Sequence, residues 1–216
     1  MNFNLKTLDY RALIQKLIVY YHLTHTGLDK LKCLDFIAPL LIRLYLIPVL
    51  WMAGTQKLMD FSGTMAWFGN SDWGLGLPLP WLMVFLVVFF ELVGAMCLLL
   101  GFCVRLICIP LMFIMLMAAY TVHWQNGWLA IAGADSVFAT NRTTEAVQRL
   151  MQAKNLLQQY GNYDWLTEYG NFVVLNNGIE FAATYFIMLL SLLFMGAGRY
   201  VSVDYWLTKN TLNLKG

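Results

Sequence analysis

The run from Trp81 to Phe102, WLMVFLVVFFELVGAMCLLLGF, constrains this chain more than any other stretch. As a helix it is long enough to cross about 30 Å of hydrocarbon. Its one ionisable side chain, Glu91, stands near the middle. A charge at that depth costs roughly 2.5 to 3.5 kcal/mol on insertion scales, so Glu91 is expected to face protein or water and to find a partner. Helical spacing places Gly94, Ala95 and Leu98 on the face of Glu91. Small residues there admit the close approach of a second helix, either inside one bundle or across a homo-oligomer face. Two readings of Glu91 stay open: a carboxyl that only holds helices together, and a proton or ligand site.

Composition widens this to the whole chain. Of 216 residues, 60% are hydrophobic and 12% charged, which excludes an ordinary soluble domain and predicts one all-α, polytopic membrane bundle. The formal net charge of +2 is too small and too dispersed for a nucleic-acid partner. The partner that composition does require is membrane lipid.

Residues 1–35 interleave Lys6, Arg11, Lys16, Lys30 and Lys32 with Leu8, Leu13, Ile14, Leu17 and Ile18, a pattern that predicts a basic amphipathic helix on the membrane surface. The apolar run from Leu17 to Tyr21 is short and no small-residue cleavage site follows, so this segment is expected to be retained. The membrane domain proper spans 36–204, with four spans at about 36–58, 81–102, 106–122 and 177–196. In the first, Arg43, Ile47, Leu50, Gly54 and Lys57 form a single stripe, which turns both cations inward. The stretch 59–80 reads as a loop with interfacial Trp67, Trp73 and Trp81. Arg105 marks a tight turn into the third span, so the second and third spans are antiparallel. The segment 129–172 reads as an outer loop carrying a surface helix over Thr144 to Tyr160, with Val147, Leu150 and Leu157 on one side. Residues 205–216 form a tail.

Four spans put both termini on one side. That side holds nine Lys and Arg, ten with Lys215, against Lys57, Arg142, Arg149 and Lys154 opposite, so both termini are expected to be cytoplasmic. Cys33, Cys97, Cys103 and Cys108 fall at the same end, and no disulfide framework is implied.

Matching the spans by depth suggests two polar groups. Arg43 would reach Glu91, a pairing that lowers the penalty of both charges. At the outer ends Lys57, His123, Asn126, Asn176, Asn177 and Glu180 would form one pocket, with Asn177 and Glu180 three apart on one helix and an anion held near that helix's N-terminus. The plainer alternative is that these are caps and snorkelling groups. A quinone-reactive site needs proton-active groups near a lipid-accessible slot, and Glu91, His123 and Lys57 fit that requirement. No metal site is assigned: His123 and Glu180 offer only two ligands, and His22 and His25 lie across the membrane. Copper contact has only methionines such as Met112, Met115 and Met117 behind it, and Met is ordinary filler in a span. Haem is disfavoured because no two histidines lie in facing spans. No phosphate loop or nucleophile, base and acid constellation is present, so a hydrolase is not expected.

Three sets of residues now resemble the DoxX family of small four-helix membrane proteins. They are Arg43-Leu44 with Ala53-Gly54-Thr55-Gln56-Lys57-Leu58; Glu91-Leu92-Val93-Gly94-Ala95 with Leu99-Leu100-Gly101 and Arg105; and Gly196-Ala197-Gly198-Arg199-Tyr200 with Ser202 and Asp204. The likeness runs from about Phe36 to Asp204 and leaves out the first 35 residues and most of Leu129 to Tyr169. Ala95, where a second glycine is common, and Val104, where a small polar residue often precedes the Arg, depart from the pattern. The longer form resembles DoxX-like proteins that accompany copper-induced modified peptides. The resemblance implies a bacterial inner-membrane protein with redox associations, quinone-linked and working with a periplasmic or peptide partner. The competing expectation is a non-enzymatic membrane partner or transporter for a small metal-binding peptide.

Overall fold

The computed structural model describes residues 10–213, with side chains from 13 to 210. Lys6 and Leu8 of the basic segment, the side chain of Arg11, and Lys215 lie outside the described residues. The described chain is helical or looped, with a single isolated antiparallel bridge between Ile131 and Leu175. The basic segment forms α1 (Tyr10–Asp29), whose Leu13, Ile14, Leu17, Tyr21 and Leu28 are all exposed.

Three helices are long and apolar enough to cross a membrane: α2 (Ile37–Met59), a later helix over Pro80–Leu100, and one over Val104–Asn126. Between the first two, where the sequence suggested only a loop, stands α3 (Phe61–Gly69). Its signal was Asp60, whose side chain accepts from the Gly63 amide and caps the helix start. Phe68 of α3 packs with Val84 and Val88 of α4 (Pro80–Leu100) in an apolar cluster of its own. α5 (Val104–Ala118) continues through a π-turn over Ala119–His123 and a short 3-10 turn to Asn126, beyond the expected end at 122. Arg105, expected in the turn, lies just inside α5.

The outer segment carries α6 (Asn141–Tyr160) and the single turn α7 (Tyr163–Leu166). α6 starts three residues earlier than its apolar spacing suggested, because Thr140 and Thr143 form a reciprocal capping box. α8 (Glu180–Met195) is the fourth apolar helix of the bundle, and α9 (Val203–Asn213) ends the described chain. At 16 residues α8 is about 24 Å long, less than the three spans.

α2 packs on α4, α4 on α5, α5 on α8, and α8 back on α2, a closed ring of four helices. Leu46 and Leu50 from α2, Ala95 and Leu98 from α4, Cys108 and Leu111 from α5, and Leu189 and Leu192 from α8 fill the centre. Large apolar side chains such as Phe85, Leu99, Phe113 and Ile187 face outward, as a lipid-facing surface requires. The small residues beside Glu91 serve internal packing: a Cβ on Gly94 would stand 2.9 Å from Leu111 of α5, and Ala95 is 1% exposed.

Candidate functional site

Lys57 is the partner of Glu91. Its ammonium lies 2.9 Å from one carboxylate oxygen and 2.8 Å from the other, and it also donates to the Ala53 carbonyl at 3.3 Å. The Glu91 side chain is 4% exposed and that of Lys57 is 27% exposed. Gly54 makes the meeting possible, since a Cβ there would fall 2.8 Å from Leu92 and 3.2 Å from the Glu91 Cβ. One turn past Gly54, the Lys57 stem then runs back along α2 toward its N-terminal end, the direction helical side chains take. Every hydrogen bond of the carboxylate among the described residues comes from this one ammonium. The result is a buried acid whose counter-charge stands at the edge of the bundle.

Arg43 does not pair with Glu91, which corrects the sequence expectation. Its guanidinium donates to four main-chain carbonyls: Leu98 at 2.6 Å, Leu99 at 3.1 Å, Ala197 at 2.8 Å and Val201 at 2.9 Å. The first two are carbonyls of the last turn of α4, of which Leu98 also accepts from the Gly101 amide at 3.3 Å, and Ala197 follows the end of α8, so the cation sits where two helix dipoles are negative. The error lay in aligning spans by their midpoints. Gly54, rather than the middle of α2, is level with Glu91, an offset of about two turns, and α3 occupies the space that α2 leaves beside the first half of α4.

The Arg43 end is closed by the tail. Asp204 accepts from the amides of Cys103 and Val104 at 2.8 and 3.1 Å, which neutralises the start of α5, and its own amide donates to Gly101. Gly101 has φ +65°, and a Cβ there would meet Ser202 at 2.6 Å and the Arg43 guanidinium at 2.8 Å. Ser202 donates to the Gly198 carbonyl at 2.6 Å. The glycine-rich tail is therefore architectural.

At the opposite end His123, Asn126, Asn176, Asn177 and Glu180 do come together, without Lys57. Asn126 donates to the Asn177 carbonyl at 3.1 Å, and His123 Nδ1 lies 2.9 Å from the same oxygen. Asn176 donates to the carbonyls of Asn126 and Leu129, both at 2.7 Å, and Glu180 accepts from the Ala130 amide at 2.9 Å. Asn177 does not start the last helix, as its spacing from Glu180 suggested. It has φ +58° and precedes α8, which begins at Glu180, because the 177–180 backbone is bonded to the carbonyls of 127–130. Gly178 fits only as glycine: a Cβ would lie 2.5 to 2.6 Å from the carbonyl oxygens of Gly127, Trp128 and Leu129. These side chains fasten two loops to each other. No grouping of three or more His, Cys, Asp or Glu able to hold a metal occurs among the described residues.

Lys57, expected from the sequence in the outer pocket, is thus the ion-pair partner of Glu91. Its signal was its place on the Arg43 stripe, three residues past Gly54. The model of the family described as DoxX matches residues 38–124, which takes in α2 to α5 with Arg43, Lys57, Glu91 and His123 and leaves out the 174–180 half of the loop clasp. No curated protein and no solved structure matches.

Proposed function

From the premise that this chain belongs to the DoxX family through residues 38–124, we propose that it is a quinone-linked component of a membrane redox system, with Glu91 and Lys57 as its proton-exchanging pair. The observation that carries this reading is the pair itself. A carboxylate inside an apolar helix has both oxygens on one ammonium, and the lysine side chain that carries it is partly exposed. An intramembrane acid so placed is a functional group by default. Its protonation releases Lys57, and its deprotonation recaptures it, so proton uptake is coupled to the position of one flexible side chain. Quinone is the substrate on this reading. Its reduction to quinol consumes two protons and two electrons; the protons pass by Glu91 and the electrons come from a partner redox protein.

On the same reading α8 is a fourth span, and both termini face the cytoplasm of a bacterial inner membrane. The test is mass spectrometry of quinone retained by the full chain purified in native nanodiscs, with Glu91→Gln and Lys57→Met beside it. Quinone held by the wild type and lost from both folded variants supports the reading. Quinone absent from the wild type, or held equally by all three, overturns it.

A further inference from the structure

Outside the membrane helices, α6 and the extended residues 174–176 line an open groove of about 730 Å³. Its α6 side presents Arg142, Glu145, Arg149 and Leu150, and its far side Val174 and Leu175. Along 172–176 burial alternates, with Val174 and Asn176 turned inward and Val173 and Leu175 outward, so this segment has strand geometry.

One edge of that segment is paired. Ala132 donates to the Val174 carbonyl and Asn176 donates to the Ala130 carbonyl, both at 2.9 Å. These two bonds flank the Ile131–Leu175 bridge, which makes it a non-hydrogen-bonded pair whose own amide and carbonyl groups point away from the partner. On that outer edge the main-chain groups of Leu175 have no hydrogen-bond partner among the described residues. A strand edge with free donors and acceptors is a template for another extended chain.

The charges beside it are chiefly positive. Arg142 makes no ion pair or hydrogen bond among the described residues. Arg149 is held only by Glu145 at 3.2 Å, in a pair that is 83% and 63% exposed and therefore weak. The two arginines stand seven residues apart on one face of α6, about 10 Å along the helix. Alternate side chains of an extended chain stand roughly 7 Å apart, and the long flexible arginine side chains span the difference.

We infer that this groove binds an extended peptide segment bearing carboxylates, which adds as a strand beside Leu175 while its acidic side chains meet Arg142 and Arg149. The apolar wall of Leu150 and Val174 takes the side chains between them. The free edge supplies affinity without regard to sequence, and the arginines select for acid. This inference stands apart from the quinone reading, since none of its residues touches Glu91 or Lys57.

The test is selection of a displayed library of random ten-residue peptides on the full chain in zwitterionic nanodiscs. Synthetic copies of the enriched peptides are then measured by fluorescence anisotropy. The expected peptides carry Asp or Glu at alternate positions among β-branched residues. Arg142→Glu with Arg149→Ala should weaken them about tenfold or more, each lost charge-assisted bond being of that order. N-methylation of alternate peptide amides, which leaves every side chain in place, should abolish binding. No enrichment, enriched peptides indifferent to the arginine changes, or binding that survives N-methylation at every amide would each overturn the proposal. Both arginines are exposed and outside the clasp, so circular dichroism of the double variant should match the wild type.

Discussion

Arg43 and Lys57 lie on the same stripe of α2, one 2% exposed and the other about a quarter exposed, and they meet opposite kinds of partner. Arg43 spends its donors on four neutral carbonyls drawn from two helix ends and the tail. Lys57 meets one carboxylate and one carbonyl of its own helix. Guanidinium geometry suits the first task, since a planar fork reaches several fixed acceptors at once. A flexible ammonium suits the second, since it can leave and return. Saturation with fixed main-chain partners marks architecture, and a single ionisable partner marks a group whose charge state can change.

The sharpest way to break this contrast is Arg43→Met. It leaves buried carbonyls of α4 and the tail without donors, and should cost roughly 3 to 5 kcal/mol, the range for removing one side of a buried charged network. Reversible unfolding in detergent measures the loss, and limited proteolysis should show the Gly196 to Asp204 segment opening first. An Arg43→Met chain that unfolds like the wild type would dissolve the distinction. Next is Gly178→Ala at the loop clasp. Its Cβ meets three backbone oxygens that no rotamer change can move, so a loss of about 1 to 3 kcal/mol follows from overpacking. His123 and Asn126 should change environment together, which NMR of the labelled side chains can follow.

The pair itself is tested by a double-mutant cycle. Lys57→Met strands a buried carboxylate, whereas Glu91→Gln strands an ammonium already near the surface, so the lysine change should destabilise more. The double variant should lose less than the sum of the two, with a coupling of about 1 to 2 kcal/mol, within the range found for residues in contact. Additive losses would mean that the two side chains do not depend on each other.

These contrasts show what the sequence could disclose. The inward stripe of α2 and the small-residue face of α4 follow from helical periodicity, and every residue of that α4 face is buried. Periodicity fixes which way a side chain points around a helix, and says nothing of how far one helix slides along another. The slide depends on α3, whose cap at Asp60 is a local signal lost among the loop residues of 59–80. The loop clasp was half legible. Its members are the polar residues that flank the apolar runs, but the left-handed turn at Asn177 is set by pairing with residues 127–130, about fifty positions away. No local pattern encodes such a partner.

Asn177 supplies the smallest and most discriminating change. The clasp uses its main-chain carbonyl, which accepts from Asn126 and lies beside His123, and no hydrogen bond of its side chain occurs among the described residues. Asn177→Gly keeps that carbonyl and suits φ +58° without a Cβ, while the freer glycine loses more entropy on folding. The two effects oppose, so stability should shift by less than about 1 kcal/mol. Quinone retention by this variant should equal the wild type. If it falls while the fold and the His123 environment stay intact, the Asn177 side chain binds ligand as its neighbourhood in sequence first suggested. The clasp would then stand with the proposed proton-exchanging pair of Glu91 and Lys57, rather than with Arg43 among the fastenings.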